Sequence, residues 1–177
     1  ADAVVLARNI CHRIAKKHGK IITFLPKLIP GEAGNGMHVH HYLQKNGKNI
    51  FNDEAGLYKL SKTALSYIAG ILKHASSLLA FTNPTTNSYR RLVPGFEAPV
   101  KAVFAEGNRS AAIRIPGYVK DADSRRFEFR TIDATCNPYL AFAAIMMAGL
   151  DGVKAGLDPT KEGFGPFETN LYDLPKE

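Results

Sequence analysis

The stretch Arg126-Phe127-Glu128-Phe129-Arg130 alternates charged and aromatic residues over five positions. This alternation predicts a β-strand, because successive side chains of a strand point to opposite faces of the sheet. Phe127 and Phe129 are expected to anchor one face in a core. The three charged residues then share the other face, which lines either solvent or a cavity. The pattern leaves both possibilities open, a salt-bridged surface ladder or a site.

The charged face has a composition that suits anion and metal chemistry. A carboxylate between two guanidinium groups stays ionised, and an ionised carboxylate is a good ligand for a hard metal cation. The flanking arginines, Arg126 and Arg130, suit bidentate contacts to phosphate or carboxylate groups. Glu128 is therefore a candidate metal ligand.

His38-Val39-His40 is a second candidate for metal or phosphate binding. Residues 37–43 are predicted to form a strand, which would place His38 and His40 on the same face. Two imidazoles on one face can hold a metal ion, or a metal ion and a phosphate. A pair of histidines on an exposed strand is the alternative, and it is the more common case for this motif alone.

Further arginines and one acid lie in loop-like sequence. Arg114 has apolar neighbours and needs a partner if it is buried, whereas Arg109 fits a loop charge. Residues 83–99 are rich in turn formers and carry Arg91 and Glu97. Such a segment is typical of an active-site lid or of a long surface connection.

The composition indicates one globular domain with a preference for anionic small molecules. The chain has 177 residues with 45% apolar and 22% charged residues, and a net charge of +7. The lysines are scattered, which argues against a nucleic-acid interface, whereas seven of the nine arginines lie between Arg90 and Arg130. No stretch approaches the roughly 18 apolar residues of a membrane span, and no signal peptide is recognised. Cys11 and Cys136 form no motif and suggest a reducing compartment.

Helices and strands are predicted around these motifs from periodicity and capping residues. A first helix is expected to be capped by Asp2, to carry the apolar stripe Leu6, Ile10 and Ile14, and to end at Gly19. A short buried strand is predicted at residues 21–25. Asn46-Gly47 predicts a hairpin turn, since both residues accept a positive φ.

The remaining elements follow from the same signals. Ser61 is expected to cap a helix with an apolar stripe that continues to Leu79, and strands are predicted at residues 100–104 and 111–115. Asn137-Pro138 should begin a helix that is apolar nearly all round, is therefore buried, and is closed by Gly152. The residues from 156 onward are expected to be irregular.

Taken together, these motifs resemble bacterial and archaeal type I glutamine synthetases. The segments 34–40, 83–100, 108–116, 126–130 and 137–152 occur in the same order in that family, and the likeness covers nearly all of the chain. The resemblance implies an α+β fold, with part of a curved, mainly antiparallel half-barrel sheet and outer helices. It further implies that residues 1–177 are a partial catalytic domain, with the N-terminal domain, early catalytic strands and C-terminal helical region absent.

In the family, ATP phosphorylates the side-chain carboxylate of glutamate, and ammonia then displaces phosphate to give glutamine. Divalent cations, Mg²⁺ or Mn²⁺, bridge the phosphates. The resemblance implies that His38 and Glu128 bind metal, that His40 and Arg126 contact ATP, and that glutamate or the acyl phosphate is bound by Gly34, Arg91 and Arg130. It implies that Glu97 shields the intermediate and helps deprotonate ammonium, and that Arg109 and Arg114 stabilise the phosphoryl group during its transfer. Tyr172 resembles a tyrosine that some bacterial members adenylylate.

Two positions depart from the family pattern. Ala33 replaces a common Asn before Gly34, and Tyr42 replaces a common Ser. These departures leave open a γ-glutamyl ligase that uses an organic amine, and a non-catalytic structural module is a further alternative. The resemblance implies a cytoplasmic enzyme that forms a ring of twelve subunits and needs neither membrane nor nucleic acid. The isolated chain is expected to be inactive and, with open sheet edges, marginally stable or self-associating.

Overall fold

The computed structural model describes residues 1–173 and shows an α+β fold. Its helices are α1 (Asp2–Lys17), α2 (Lys62–Lys73), α3 (Ala75–Thr82), α4 (Thr86–Arg91) and α5 (Pro138–Ala155), with short 3₁₀ helices at Leu57–Lys59 and Ala122–Ser124. Its strands are β1 (Val39–His41), β2 (Gln44–Lys45), β3 (Lys48–Asn49), β4 (Lys101–Glu106), β5 (Ala111–Ile115) and β6 (Phe127–Phe129).

The main sheet is open and mixed, with the strand order β1-β6-β5-β4. The pairs β1–β6 and β5–β6 are antiparallel, whereas β4–β5 is parallel. The α+β prediction is confirmed, with two of the three strand pairs antiparallel as expected for a mainly antiparallel sheet. The strands are shorter than predicted around β1 and β6, although Met37 N still donates to Ile132 O at 3.1 Å.

One face of this sheet packs on helices and forms the core. Phe127 and Phe129 are 0% and 1% exposed and belong to a cluster with side chains of α2 and α5. The two helices approach closely at glycines: a Cβ on Gly70 would lie 2.2 Å from Ala148 O, and one on Gly152 would lie 2.2 Å from Ser66 O. Gly152 therefore lies inside α5, and the prediction that it ends the helix was wrong.

Helix α5 ends instead at Gly156, whose φ of +63° suits a glycine C-cap. The start was predicted correctly, because the Asn137 side chain accepts hydrogen bonds from Tyr139 N and Leu140 N. The expectation of burial all round was wrong: Leu140 is 56% and Met147 is 68% exposed. Only one side of the helix faces α2 and the sheet, so the described residues leave its opposite side uncovered.

Helix α1 lies on the outside of the fold and contains no buried residue. Its predicted stripe is exposed, with Leu6 at 60% and Ile14 at 54%. Ala1, rather than Asp2, occupies the N-cap position, and Asp2 accepts a hydrogen bond from the Tyr139 hydroxyl at 2.5 Å. The predicted strand at residues 21–25 does not form: no described segment pairs with it, and Ile21 is 99% exposed.

Two other local predictions, a helix cap and a turn, are confirmed. Ser61 caps α2 by accepting from Ala64 N, and the β2–β3 turn has positive φ at Asn46 and Gly47. The predicted long helix breaks at His74 into α2 and α3, which are bent by 75°. This bend places Leu78, rather than Leu79, in the core. In residues 1–173 no single helix is long and apolar enough to cross a membrane, and only the bent α2–α3 pair reaches that length and composition.

The irregular segment after α5 covers part of one sheet edge. Phe104 N of β4 donates to Phe164 O at 3.0 Å, and Phe167 N donates to Phe104 O at 3.1 Å. No described strand lies beyond β1 at the opposite edge. The sheet edge at β1 is therefore open, as expected, whereas the edge at β4 is partly covered.

Candidate active site

The centre of the candidate site is the carboxylate of Glu128, on the sheet face opposite the core. Glu128 is 4% exposed. Its Oε1 contacts His38 Nδ1 at 2.7 Å and Arg130 Nη1 at 2.9 Å, and its Oε2 accepts from Arg114 Nη1 at 2.7 Å. Strand register explains the convergence, because Glu128 lies opposite His40 on β1 and opposite Arg114 on β5.

The cations around Glu128 keep it ionised. Burial alone would raise the pKa of this carboxyl group, but hydrogen bonds from His38 and Arg114 and the charge of Arg130 lower it to about 2. A single carboxylate balanced against two guanidinium groups leaves the site with excess positive charge. Of the two alternatives that the sequence left open, the burial of Glu128 argues against the solvent-exposed ladder.

His40 and Arg126 lie beside this centre on the same face. Burial lowers the pKa of His40, and the charges of Arg126, His38 and Arg114 lower it further, against the opposing effect of Glu128. The lowered pKa favours the neutral imidazole, which can donate one hydrogen bond and accept another. Arg126 donates from Nη1 to Ser124 O at 3.0 Å.

Arg130 connects the centre to residues 95–98, which we call the lid. Its Nε donates to Arg109 O at 3.0 Å and its Nη2 donates to Glu97 O at 3.3 Å. The side chains of Arg109 and Glu97 form an ion pair at 3.0 Å, and both are more than half exposed. Glu97 and Arg109 thus lie at the solvent-facing rim, while Arg130 lies underneath.

Arg91 lies deeper and holds the backbone that follows β6. Its Nη2 donates to the carbonyl oxygens of Arg130 (3.0 Å), Thr131 (2.5 Å) and Ile132 (3.3 Å), and only 6% of the residue is exposed. Gly34 passes directly over it, because a Cβ on Gly34 would lie 2.6 Å from Arg91 Cγ. Gly34 and Arg91 are therefore adjacent, as their shared predicted role requires.

In the part of the chain that the structure describes, four buried guanidinium nitrogens have no hydrogen-bond partner: Arg8 Nε, Arg91 Nε, Arg114 Nε and Arg125 Nη2. Of these, Arg91 and Arg114 belong to the candidate site. A buried donor without a partner is costly, and such donors in a cationic pocket are typical of an anion-binding site. Arg91 and Arg114 thus retain hydrogen-bonding capacity for carboxylate or phosphate oxygens.

The described residues provide only part of a metal site. Among residues 1–173, no group of three or more His, Cys, Asp or Glu side chains could hold a metal ion. His38 and Glu128 form a pair of the right chemistry, one imidazole nitrogen and one carboxylate, 2.7 Å apart. Mg²⁺ takes about six ligands, so the remaining oxygens must come from phosphates, water or other protein residues.

Sequence reasoning missed the buried polar network that supports this site. Asn83 Nδ2 donates to Thr131 O at 2.7 Å and to Asp133 Oδ2 at 3.1 Å, and Asn83 and Asp133 are both 0% exposed. This network ties the end of α3 to the turn after β6. Asn83 was noted only as part of the long loop, and its place beside Asp133 depends on packing.

The structure brings the predicted residues into one region but at different depths. Arg91 is buried beneath the exposed Gly34, the Glu128 cluster with His38, Arg114 and Arg130 lies beside it, and Glu97 with Arg109 lies at the rim. Tyr172 does not touch the cluster. Its hydroxyl donates to the lid backbone at Ala98 O, at 2.9 Å.

A family model, curated relatives and a solved structure all assign the chain to the same family. The family model described as "Glutamine synthetase, catalytic domain" matches residues 1–177. The chain is 53% identical over 177 residues to a glutamine synthetase of Streptomyces filamentosus and 51% identical over 179 residues to one of Aquifex aeolicus, covering all of this chain and 37% of each relative. A cryo-EM structure of Plasmodium falciparum glutamine synthetase is similar with a TM-score of 0.82 at 39% identity, over 87% of this chain and 30% of that one. The chain thus spans a little over a third of the length of these curated relatives.

Proposed function

The chain belongs to the glutamine synthetase catalytic-domain family, and we propose that its full-length protein makes glutamine from glutamate and ammonia, using ATP and a γ-glutamyl phosphate intermediate. One observation carries this proposal. The buried carboxylate of Glu128 is held between His38, Arg114 and Arg130 in a cluster with excess positive charge. Phosphoryl transfer needs such a cluster, because catalysis rests on positioning and on stabilising oxygen charge.

We assign metal binding to His38 and Glu128. A divalent cation, Mg²⁺ or Mn²⁺, would neutralise phosphate oxygens there and so lower the barrier to phosphoryl transfer. The low pKa of Glu128, about 2, keeps that carboxylate available at every physiological pH. His40 and Arg126 lie on the same face and would contact the phosphates of ATP.

The arginines are assigned to the two anionic partners in the reaction. Arg91 and Arg130, with the backbone of Gly34, would hold the glutamate carboxylates, and Arg91 Nε, which has no partner among the described residues, supports this. Arg114 would contact the transferring phosphoryl group, since its Nε also lacks a partner among the described residues. Arg109 would approach the same group from the rim.

Glu97 is assigned to proton transfer and shielding. Its position at the rim, paired with Arg109 at 3.0 Å, would let it accept a proton from ammonium as the amine attacks the acyl phosphate. The lid that carries it would keep water from the intermediate.

We further propose that residues 1–177 are a partial catalytic domain and that the isolated chain is inactive. The support is chemical: the described residues offer only two metal donors. Assembly into a ring of twelve subunits and a cytoplasmic location are part of the same proposal. The free thiols Cys11 and Cys136 fit a reducing compartment. Adenylylation of Tyr172 stays a prediction.

The proposal is tested by turnover of the full-length protein. Glutamate, ATP and Mg²⁺ are supplied with ammonia or with a panel of organic amines, and phosphate and amide product are both measured. We expect ammonia to be preferred and Glu128→Gln to lower kcat by about 100-fold or more. Glu162→Gln, at an exposed position, is the matched control and should leave kcat unchanged.

Three alternative results of this experiment would each lead to a different conclusion. Turnover with an organic amine alone would replace the proposal by a γ-glutamyl ligase, with Ala33 as the first position to examine. Nucleotide binding without any turnover would indicate a non-catalytic relative. Glutamine formation by the isolated 177-residue chain would contradict the expected inactivity of the fragment.

A further inference from the structure

The lid has an unusual backbone conformation. Gly95, Phe96 and Glu97 have successive φ values of +94°, +54° and +57°. The left-handed region suits glycine but strains residues that carry a Cβ, and two consecutive strained residues persist only where surrounding contacts hold them. The residues that hold the lid are therefore identified by their contacts to residues 95–98.

Tyr172 holds the two ends of the lid together. Its hydroxyl donates to Ala98 O at 2.9 Å and contacts Gly95 O at 3.3 Å, so it bridges the residues on either side of Phe96 and Glu97. The neighbouring Leu171 is 0% exposed and packs against β4 and β5 residues. This packing fixes the chain next to Tyr172 against the sheet.

Lys27 lies in the irregular segment before β1 and contacts the lid at Phe96. Its ammonium nitrogen lies 4.4 Å from the centroid of the Phe96 ring, within cation–π range. The Lys27 backbone is itself fixed, because Lys27 N donates to Asn87 Oδ1 and Asn87 Nδ2 donates to Lys27 O, both at 2.8 Å. Asn87 lies on α4, so the contact links the lid to a regular element.

These two contacts leave the Glu97 side chain directed to Arg109, while Glu97 O accepts from Arg130. We propose that Tyr172 and Lys27 are positioning residues that hold the lid in its left-handed conformation and thereby place Glu97 at the rim of the Glu128 site. Neither side chain touches the Glu128 cluster. They act through the backbone of residues 95–98 and through the Phe96 ring.

The consequence for catalysis rests on the proposed function. A loosened lid would admit water to γ-glutamyl phosphate. Water would then attack the acyl carbon, the bond between that carbon and the phosphate oxygen would break, and glutamate, inorganic phosphate and a proton would be released. The enzyme would consume ATP without forming the amide.

The first measurement is hydrogen–deuterium exchange of the full-length protein over residues 95–98. Tyr172→Phe removes only the hydroxyl, and Lys27→Met removes the charge but keeps the aliphatic stem. We expect each variant to speed exchange of these amides about fivefold, as the loss of one hydrogen bond or cation–π contact implies, and the double variant to exchange faster than either. Tyr139→Phe and Lys20→Met, distant from the lid, are matched controls that should show no change there.

The second measurement is the ratio of phosphate released to glutamine formed. This ratio should be close to one for the unaltered protein and should rise about twofold or more in Tyr172→Phe and Lys27→Met, which a purely structural role would not cause. Unchanged exchange over residues 95–98 would overturn the proposal. Faster exchange with an unchanged ratio would overturn the positioning role. If the unaltered protein forms no glutamine, the proposed function fails, and the exchange experiment still decides whether the two residues hold the lid.

Discussion

Strand β6 and its two flanking arginines place alternate residues of the stretch 126–130 on opposite faces of the sheet, yet the two faces are held by different forces. Phe127 and Phe129 face α2 and α5 and are stabilised by burial of apolar surface. Glu128 faces the site and is held by ion pairs with Arg130 and with Arg114 of β5, and by a 2.7 Å contact with His38, which precedes β1. The apolar face tolerates any partner of suitable shape, whereas the charged face needs particular groups at particular positions.

Each face also carries a titratable group with a low pKa, for opposite reasons. His41 stacks on Phe127 with ring centroids 5.2 Å apart, and burial lowers its pKa to about 4 because the cation is poorly solvated there. Glu128 has a pKa of about 2 although burial opposes it, because the surrounding cations favour the anion. Desolvation therefore dominates on the apolar face and charge pairing dominates on the other.

The largest expected effect comes from opening the apolar face. Phe127→Ala should lower the free energy of unfolding by about 3–5 kcal/mol, since a fully buried ring is replaced by a cavity between the sheet and the helices. Urea unfolding of the purified chain measures this change. A loss below about 1 kcal/mol would mean that the face is loosely packed and would remove the contrast between the two faces.

Lowering the pH should remove the stabilising contributions of the two faces one after the other. As the pH falls below 6.5 toward 4, the unfolded state gains a proton on His41 that the folded state does not, which costs about 3 kcal/mol. As the pH falls from 4.5 toward 2, the unfolded state likewise gains a proton on Glu128 before the folded state does, and about 3 kcal/mol more is lost. Unfolding free energies measured between pH 7 and pH 2 should therefore fall in two steps.

Single substitutions assign the two steps. His41→Phe should remove the loss between pH 6.5 and 4 and leave the lower step in place, while Glu128→Gln should do the reverse. One common step that is unaffected by either substitution would show that neither group has the pKa given above.

The smallest expected effect concerns α1, which carries a comparable apolar stripe but buries none of it. Ile10, 44% exposed, should tolerate replacement by Ser with a change of less than about 0.5 kcal/mol in the unfolding free energy of the purified chain. Ile68 on α2 is 0% exposed, and the same replacement there is the contrasting control, with a loss of several-fold greater size. A large loss at Ile10 would indicate that the isolated chain covers α1 in solution, for example by self-association.

Local signals in the sequence were reliable where one residue decides the conformation. Asn46-Gly47 forms the predicted turn, Ser61 and Asn137 cap the predicted helices, and Ala111–Ile115 is the predicted strand. Predictions that depended on a neighbour failed. Residues 21–25 pair with no strand within residues 1–173, and Gly152 allows α2 and α5 to approach closely instead of ending the helix.

The site shows the same division. Alternation placed Glu128 and Arg130 on one face, and motif resemblance selected His38, Arg91, Glu97, Arg109 and Arg114. No pattern could predict that Arg91 binds three carbonyl oxygens, or that Tyr172 and Lys27 contact the lid, because these partners are distant in the chain. The buried Asn83–Asp133 contact was missed for the same reason.

The sequence by itself determined the capped helices and the two-faced pattern at 126–130, of which residues 127–129 form the strand, because these follow from local periodicity and capping residues. It also determined membership of a family and, through that resemblance, the α+β class, because the motifs occur in the family's order. The tertiary structure alone decided the strand order, the depth of each arginine, the low pKa of Glu128 and the contacts that hold the lid. The physical reason is the separation along the chain over which each interaction acts. Backbone preferences act over a few residues, whereas desolvation and charge pairing depend on groups that only folding brings within about 3 Å of each other.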